Sequence, residues 1–166
     1  MAVTSACTET VINVAGTKVH VLQGGSGPSL LALHGAGGNQ GWLQYHQALA
    51  EHFTVYAPSH PGYGPSERPE WLDTMTDMAH FYQALIDTLG VDRLALLGTS
   101  MGGWLAAEIA AMAPERLSRM VLVDAVGIKP EVGEIADILM CSREDAAKLR
   151  FYDTSQVARL RDPLQS

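Results

Sequence analysis

The chain has 166 residues, 47% hydrophobic and 17% charged, which places it among soluble globular proteins of about one domain. Lysine and arginine total 11 against 18 aspartates and glutamates. The formal charge of −7 is the wrong sign for gripping phosphate backbones or anionic bilayers, so neither nucleic acid nor a membrane is expected as a partner. Cys7 and Cys141 lie far apart, outside any Cys-x-x-Cys or Cys/His spacing, so both read as free thiols and no metal site is indicated. The first ten residues lack the basic start and apolar centre of a secretory signal, and no stretch approaches a membrane span; a cytoplasmic location is expected.

From Thr8 to Gln23, two runs rich in Val and Ile alternate apolar and polar residues around Ala15-Gly-Thr17, as a half-buried hairpin does. Ser29-Leu-Leu-Ala-Leu33 is almost continuously apolar, which suits a strand covered on both faces by helices. Trp42, Tyr45, Ala48 and Leu49 then recur at helical spacing before a second buried strand, Phe53-Thr-Val-Tyr-Ala57, ended by Pro58. The stretch from Pro58 to Pro69 is dense in turn formers and reads as a long loop, with His60 and Tyr63 at the mouth of any site there and His60 expected to be exposed.

Met75, Met78, Ala79, Tyr82, Leu85, Ile86 and Leu89 follow the pattern of an amphipathic helix closed by Gly90. A strand at 93–98, a helix from Met101 to Met112 and a strand from Ser118 to Asp124 complete the alternation. Strands alternating with helices predict an α/β fold with a mostly parallel, doubly wound sheet of about six strands. Residues 1–127 form this core. Beyond it, Ile135, Ile138 and Leu139 suggest a helix, Ser142-Arg-Glu-Asp145 a capped helix start, and Thr154 the opening of another short helix.

Gly98-Thr-Ser-Met-Gly102 fits G-x-S-x-G between a buried strand and a helix, the context in which a serine stands on a strained turn with its hydroxyl exposed. Side chains at Gly98 or Gly102 are expected to collide with neighbouring backbone. A helix start aims unpaired N–H groups at the space beside Ser100, so Ser100 is the candidate nucleophile and the Met101 N–H one oxyanion donor. His34-Gly-Ala-Gly-Gly38 follows an earlier strand and offers a second donor, Ala36, with Gly37 in reserve. His34, Gly35, Gly37 and Thr99 line the site, His34 serving to buttress its own turn.

Three segments in this order carry a resemblance: His34-Gly-Ala-Gly-Gly38, Pro61-Gly-Tyr-Gly-Pro-Ser66 and Gly98-Thr-Ser-Met-Gly102. The chain resembles the N-terminal half to two-thirds of an α/β-hydrolase-fold protein. The family's loop after the fourth strand commonly reads Asp-x-Pro-Gly-x-Gly-x-Ser, and Ser59 stands where the Asp is usual. The resemblance implies that residues 128–166 begin a helical cap in which substrate selection resides. It also implies a cofactor-free serine hydrolase acting on small-molecule esters or related acyl substrates, or, as a variant, on a carbon–carbon bond beside a ketone.

The same resemblance puts an Asp or Glu and then a His after the nucleophile. All six histidines, at 20, 34, 46, 52, 60 and 80, precede Ser100, and a serine hydroxyl without a base is a poor nucleophile. Asp124 is a candidate acid, with an Asp that caps its own turn as the competing reading. The expectation is a piece of a longer enzyme truncated within the cap, inactive alone, and prone to self-association unless the missing C-terminal segment is supplied. A noncatalytic module with the same fold is the competing expectation. A dinucleotide-binding module is disfavoured because no Gly-x-Gly-x-x-Gly follows the first parallel strand.

Overall fold

The computed structural model of the chain describes residues 7–137 and 140–154. It divides into two compact units, Met1–Ile128 and Lys129–Ser166. The first carries a six-stranded sheet built from β1 (Thr8–Val14), β2 (Thr17–Gly24), β3 (Ser29–Leu33), β4 (Thr54–Pro58), β5 (Leu94–Thr99) and β6 (Leu117–Val123). Their spatial order is β1-β2-β4-β3-β5-β6. β3 pairs in parallel with both β4 and β5, and β5 with β6, while β2 runs antiparallel to β1 and β4.

The hairpin forms where expected. Ala15 and Gly16 both take positive φ, 49° and 88°, the turn whose twist matches that of the flanking strands, and Asn13 Oδ1 accepts the Gly16 N–H at 2.9 Å.

Helices α1 (Gln44–Ala50), α2 (Met75–Thr88) and α3 (Met101–Met112) pack on the sheet. β3 and β5 feed two apolar clusters at once, as their unbroken hydrophobicity predicts. Leu31, Leu33, Leu94 and Leu96 face α2 and α3 with Phe81, Leu85, Ile86, Leu105 and Ile109. Leu30, Ala32 and Ala95 pack on the opposite side with Ala50 and Leu49 of α1. α2 starts in a reciprocal cap that the apolar spacing does not announce. The Thr74 hydroxyl accepts the Asp77 N–H at 3.1 Å, and Asp77 Oδ2 accepts the Thr74 N–H at 2.9 Å.

In the second unit, α4 (Arg143–Arg150) begins where the sequence places it, with Ser142 Oγ accepting the Asp145 N–H at 3.1 Å. The helix expected around Ile135 does not form over residues 131–137. Pro130 precedes that stretch, and Gly133 interrupts it at φ 98°, a conformation no α-helix accommodates. Ile138, Leu139 and the helix expected to open at Thr154 lie wholly or largely outside the described residues.

Candidate active site

Ser100 occupies the turn from β5 into α3 with φ 53° and ψ −115°, well outside the ordinary regions for a residue bearing a Cβ. Its backbone is held on both sides. The Ser100 N–H donates to Val123 O at 2.9 Å, and Ser100 O accepts from Gly103, Trp104 and Val126 N–H at 2.9, 3.2 and 3.3 Å. The side chain does not cap its own helix.

The glycines around it are required by contact. A Cβ on Gly98 would sit 2.3 Å from Gly102 O, and one on Gly102 would sit 2.2 Å from Leu33 O. α3 therefore begins in backbone contact with the end of β3. The same close approach brings in the next loop: a Cβ on Gly35 would lie 3.2 Å from Ser100 Cβ, 3.4 Å from Thr99 O and 3.7 Å from Ser100 Oγ.

Beyond Gly35 the chain turns, closed by the Gly38 N–H donating to Gly35 O at 3.1 Å, with Ala36 and Gly37 exposed at its tip. Neither Ala36 nor Gly37 N–H donates to a backbone carbonyl among the described residues. At the head of α3, Met101 N–H is one of the first-turn groups that lack an intrahelical acceptor. Its side chain is engaged separately, Met101 Sδ accepting from Tyr63 Oη at 3.6 Å.

His34, Gly35 and Thr99 line a cavity of about 210 Å³ together with Asn39, Gln40 and Tyr45. Gly37 does not border it. Asp124 follows the residue that receives the Ser100 N–H, takes φ 46° and is exposed. Among the described residues its carboxylate accepts no hydrogen bond, and the turn expected to be capped by it is tied instead by the Val126 N–H to Ser100 O.

Sequence reasoning misplaces His60. It is 0% exposed, because its ring inserts between the β3 loop and α2 rather than facing solvent. Its Nδ1 accepts from Tyr82 Oη at 2.5 Å, its Nε2–H donates to His34 O at 2.8 Å, and its backbone N–H donates to His34 Nε2 at 2.9 Å. The His34 ring completes the run by donating Nδ1–H to Gly35 O at 2.7 Å. Burial, then the neighbouring His34 ring, pushes the His60 pKa down to about 3, and burial lowers that of His34, so both rings are neutral at pH 7.

Both nitrogens of each ring are thus committed, and neither histidine offers Ser100 a free acceptor. His46 is spent similarly, its Nδ1 accepting the Leu43 N–H at 3.1 Å and burial lowering its pKa to about 4. Cys7 and Cys141 are free thiols, and no cluster of three or more metal-ligating side chains occurs among the described residues.

A family model described as the alpha/beta hydrolase fold matches residues 28–149. The chain belongs to the α/β-hydrolase fold family. An uncharacterised Mycobacterium tuberculosis protein is 36% identical over 109 residues, covering 65% of this chain and 32% of that protein. A 2-hydroxy-6-oxo-2,4-heptadienoate hydrolase from Pseudomonas putida is 30% identical over 160 residues, covering 89% of this chain and 58% of that one. Among solved structures, a membrane phospholipase A described as a bacterial virulence factor is 34% identical with a TM-score of 0.72, covering 76% of this chain and 42% of that one.

The chain therefore spans between about a third and three-fifths of the length of these relatives. The sheet order and the positive-φ Ser100 turn are the hydrolase-fold features visible here. Among the described residues, no helix is long and apolar enough to cross a membrane.

Proposed function

We propose that Ser100 is the nucleophile of an acyl-transfer site that hydrolyses small-molecule carboxylic esters or related acyl compounds. The observation that carries this is the strained φ of Ser100 on a strand-to-helix turn, packed against Gly35. Ser100 Oγ bonds to the substrate carbonyl carbon as its proton passes to a base, and the carbonyl oxygen becomes an oxyanion received by the Ala36 and Met101 N–H groups. Collapse breaks the bond to the leaving group, which takes that proton. Water then adds to the acyl-serine and regenerates Ser100 by the same steps in reverse.

The three histidines near the site, His34, His46 and His60, are committed to other partners, so the reading assigns catalysis to a protein in which a further base reaches Ser100. Asp124 is the candidate acid within the chain. Residues 128–166 are read as the start of a substrate-selecting cap, no cofactor takes part, and a cytoplasmic location belongs to the same proposal.

The similarity to a Pseudomonas hydrolase named for a 2-hydroxy-6-oxo dienoate supports a second reading, in which the bond broken is carbon–carbon beside a ketone. A fluorophosphonate probe tests what both share. Ser100 is expected to be phosphonylated, slowly in this chain and rapidly once a base is supplied, with Ser100→Ala left unmarked. A folded protein whose Ser100 stays unmarked under both conditions would favour the noncatalytic module.

A further inference from the structure

Two buried titratable side chains, His60 and Tyr82, take no chemical part in the proposed reaction. Tyr82 is 0% exposed on the inner face of α2, and its hydroxyl meets His60 Nδ1. A phenol placed in an apolar cluster costs free energy unless its O–H is satisfied, and here the acceptor is a ring that leads on to the β3 loop.

The path is continuous. Tyr82 Oη–H donates to His60 Nδ1; the His60 ring and backbone donate to His34 O and His34 Nε2; and His34 Nδ1–H donates to Gly35 O. Gly35 O also accepts the Gly38 N–H that closes the turn, and Gly35 Cα stands against Ser100. We propose that Tyr82 and His60 are positioning residues of the acyl-transfer site, a buried brace that holds the Gly35–Gly38 turn against Ser100 from the hydrophobic side of α2. The functional half of this inference rests on the reading of Ser100 as nucleophile; the mechanical half does not.

The brace fixes more than a loop's average position. Each of its bonds has a directional requirement, so only one tautomer of each ring satisfies all of them: Nε2–H on His60 and Nδ1–H on His34. A phenylalanine at 82 removes one oxygen, leaves His60 Nδ1 buried without a donor, and frees the ring to seek another arrangement. The turn at Gly38 then loses its fixed reference while the sheet beneath it is untouched.

The test uses the 166-residue chain and its Tyr82→Phe variant, followed by NMR amide exchange and imidazole ¹⁵N spectra. The expected result is exchange faster by about tenfold or more at the Gly38 and His60 amides, with Leu31 and Leu96 keeping their protection. The His60 Nδ1 resonance is expected to move and those of His46 to stay. His60→Gln, which keeps a donor for His34 O but breaks the link to Tyr82, is expected to give the same localised response and serves if Tyr82→Phe does not fold.

Fluorophosphonate labelling of Ser100 is measured in the same samples, with a rate loss of about tenfold expected when the turn is unbraced. Unchanged exchange at Gly38, or equal acceleration through β3 and β5, would overturn the brace. A responsive Gly38 beside a wild-type Ser100 that resists the probe even with a base supplied would overturn the acyl-transfer reading instead, so the two failures are distinguishable.

Discussion

The two flanks of Ser100 differ in how completely they are built. On the side of β3 and α2, the rings of His60 and Tyr82 are buried, that of His34 is half-buried, all three are hydrogen-bonded, and apolar residues fill the space behind them. On the side of β6, the strand that supplies Val123 O to the Ser100 N–H lies at the sheet edge, with Met120, Val121, Leu122 and Val123 exposed by 42, 51, 42 and 40%. Four consecutive apolar residues at 40% exposure or more are not the sequence of a natural edge. The opposite edge, β1, instead begins Thr8-Glu-Thr10, which does not invite a further strand. The Ser100 turn is thus held from one side while the other still presents the composition of an interior.

The largest test of this contrast is a pair of truncations at facing positions. Leu96 and Met120 are register partners on β5 and β6, yet Leu96 is buried and Met120 is not. Leu96→Ala is expected to lower unfolding free energy by about 2–5 kcal/mol in urea melts, and Met120→Ala by less than about 1 kcal/mol. Equal losses would mean that β6 is covered in solution.

Next comes pH. His60 has its pKa pushed from 6.5 down to about 3, so the unfolded chain binds a proton that the folded ring refuses. Its contribution is full above pH 6.5 and is lost progressively as the pH falls from 6.5 toward 3, amounting to about 2 kcal/mol by pH 5. His34 and His46 shift in the same direction. Melts at pH 7.5 and 5 are expected to show this loss in the wild type and a smaller one in His60→Gln; an identical loss would show that the braced flank is not its source.

A smaller effect is expected at the start of α2. Thr74→Ala removes the acceptor for the Asp77 N–H and is expected to cost about 1 kcal/mol by thermal or urea melting, since the helix stays anchored by Phe81, Leu85 and Ile86. The smallest change in stability and the clearest change in assembly are expected from Val121→Lys. Its folding free energy should move by less than about 0.5 kcal/mol, while sedimentation velocity should show the self-association of the wild type reduced. A wild type that sediments as a monomer would remove the basis for the contrast between the two edges.

Much of the braced flank was legible in the sequence, for identifiable reasons. The unbroken apolar runs Leu30–Leu33 and Leu94–Leu97 declare strands buried on both faces, and the run from Met75 to Leu89 declares its helix, because covered surfaces leave periodic traces. Ser100 is legible because backbone contacts, of Gly98 with the start of α3 and of Gly102 with the end of β3, demand glycine at both positions. His60 is not, since its burial depends on a hydroxyl 22 residues later and on a turn whose direction no periodicity records. The missing helix around Ile135 is the reverse case, where apolar spacing suggested an element that Gly133 prevents. The exposure of β6 was foreseeable only in outline: its composition tells of a neighbour, and only the sheet order shows that none of the described strands is that neighbour.

The contact of Gly102 with Leu33 O and His34 O has a consequence for how such a protein can diversify. Because peptide groups meet there with no side chain between them, the spacing from Ser100 to the loop after β3 is set by backbone dimensions that substitution cannot adjust in small steps. Sequence drift can alter the wall of the cavity lined by Gln40, Tyr45 and Thr99, but not the ruler itself. A library that randomises residues 98–103 should therefore return mostly unfolded chains, whereas one that randomises the cavity wall should return folded proteins with altered preferences.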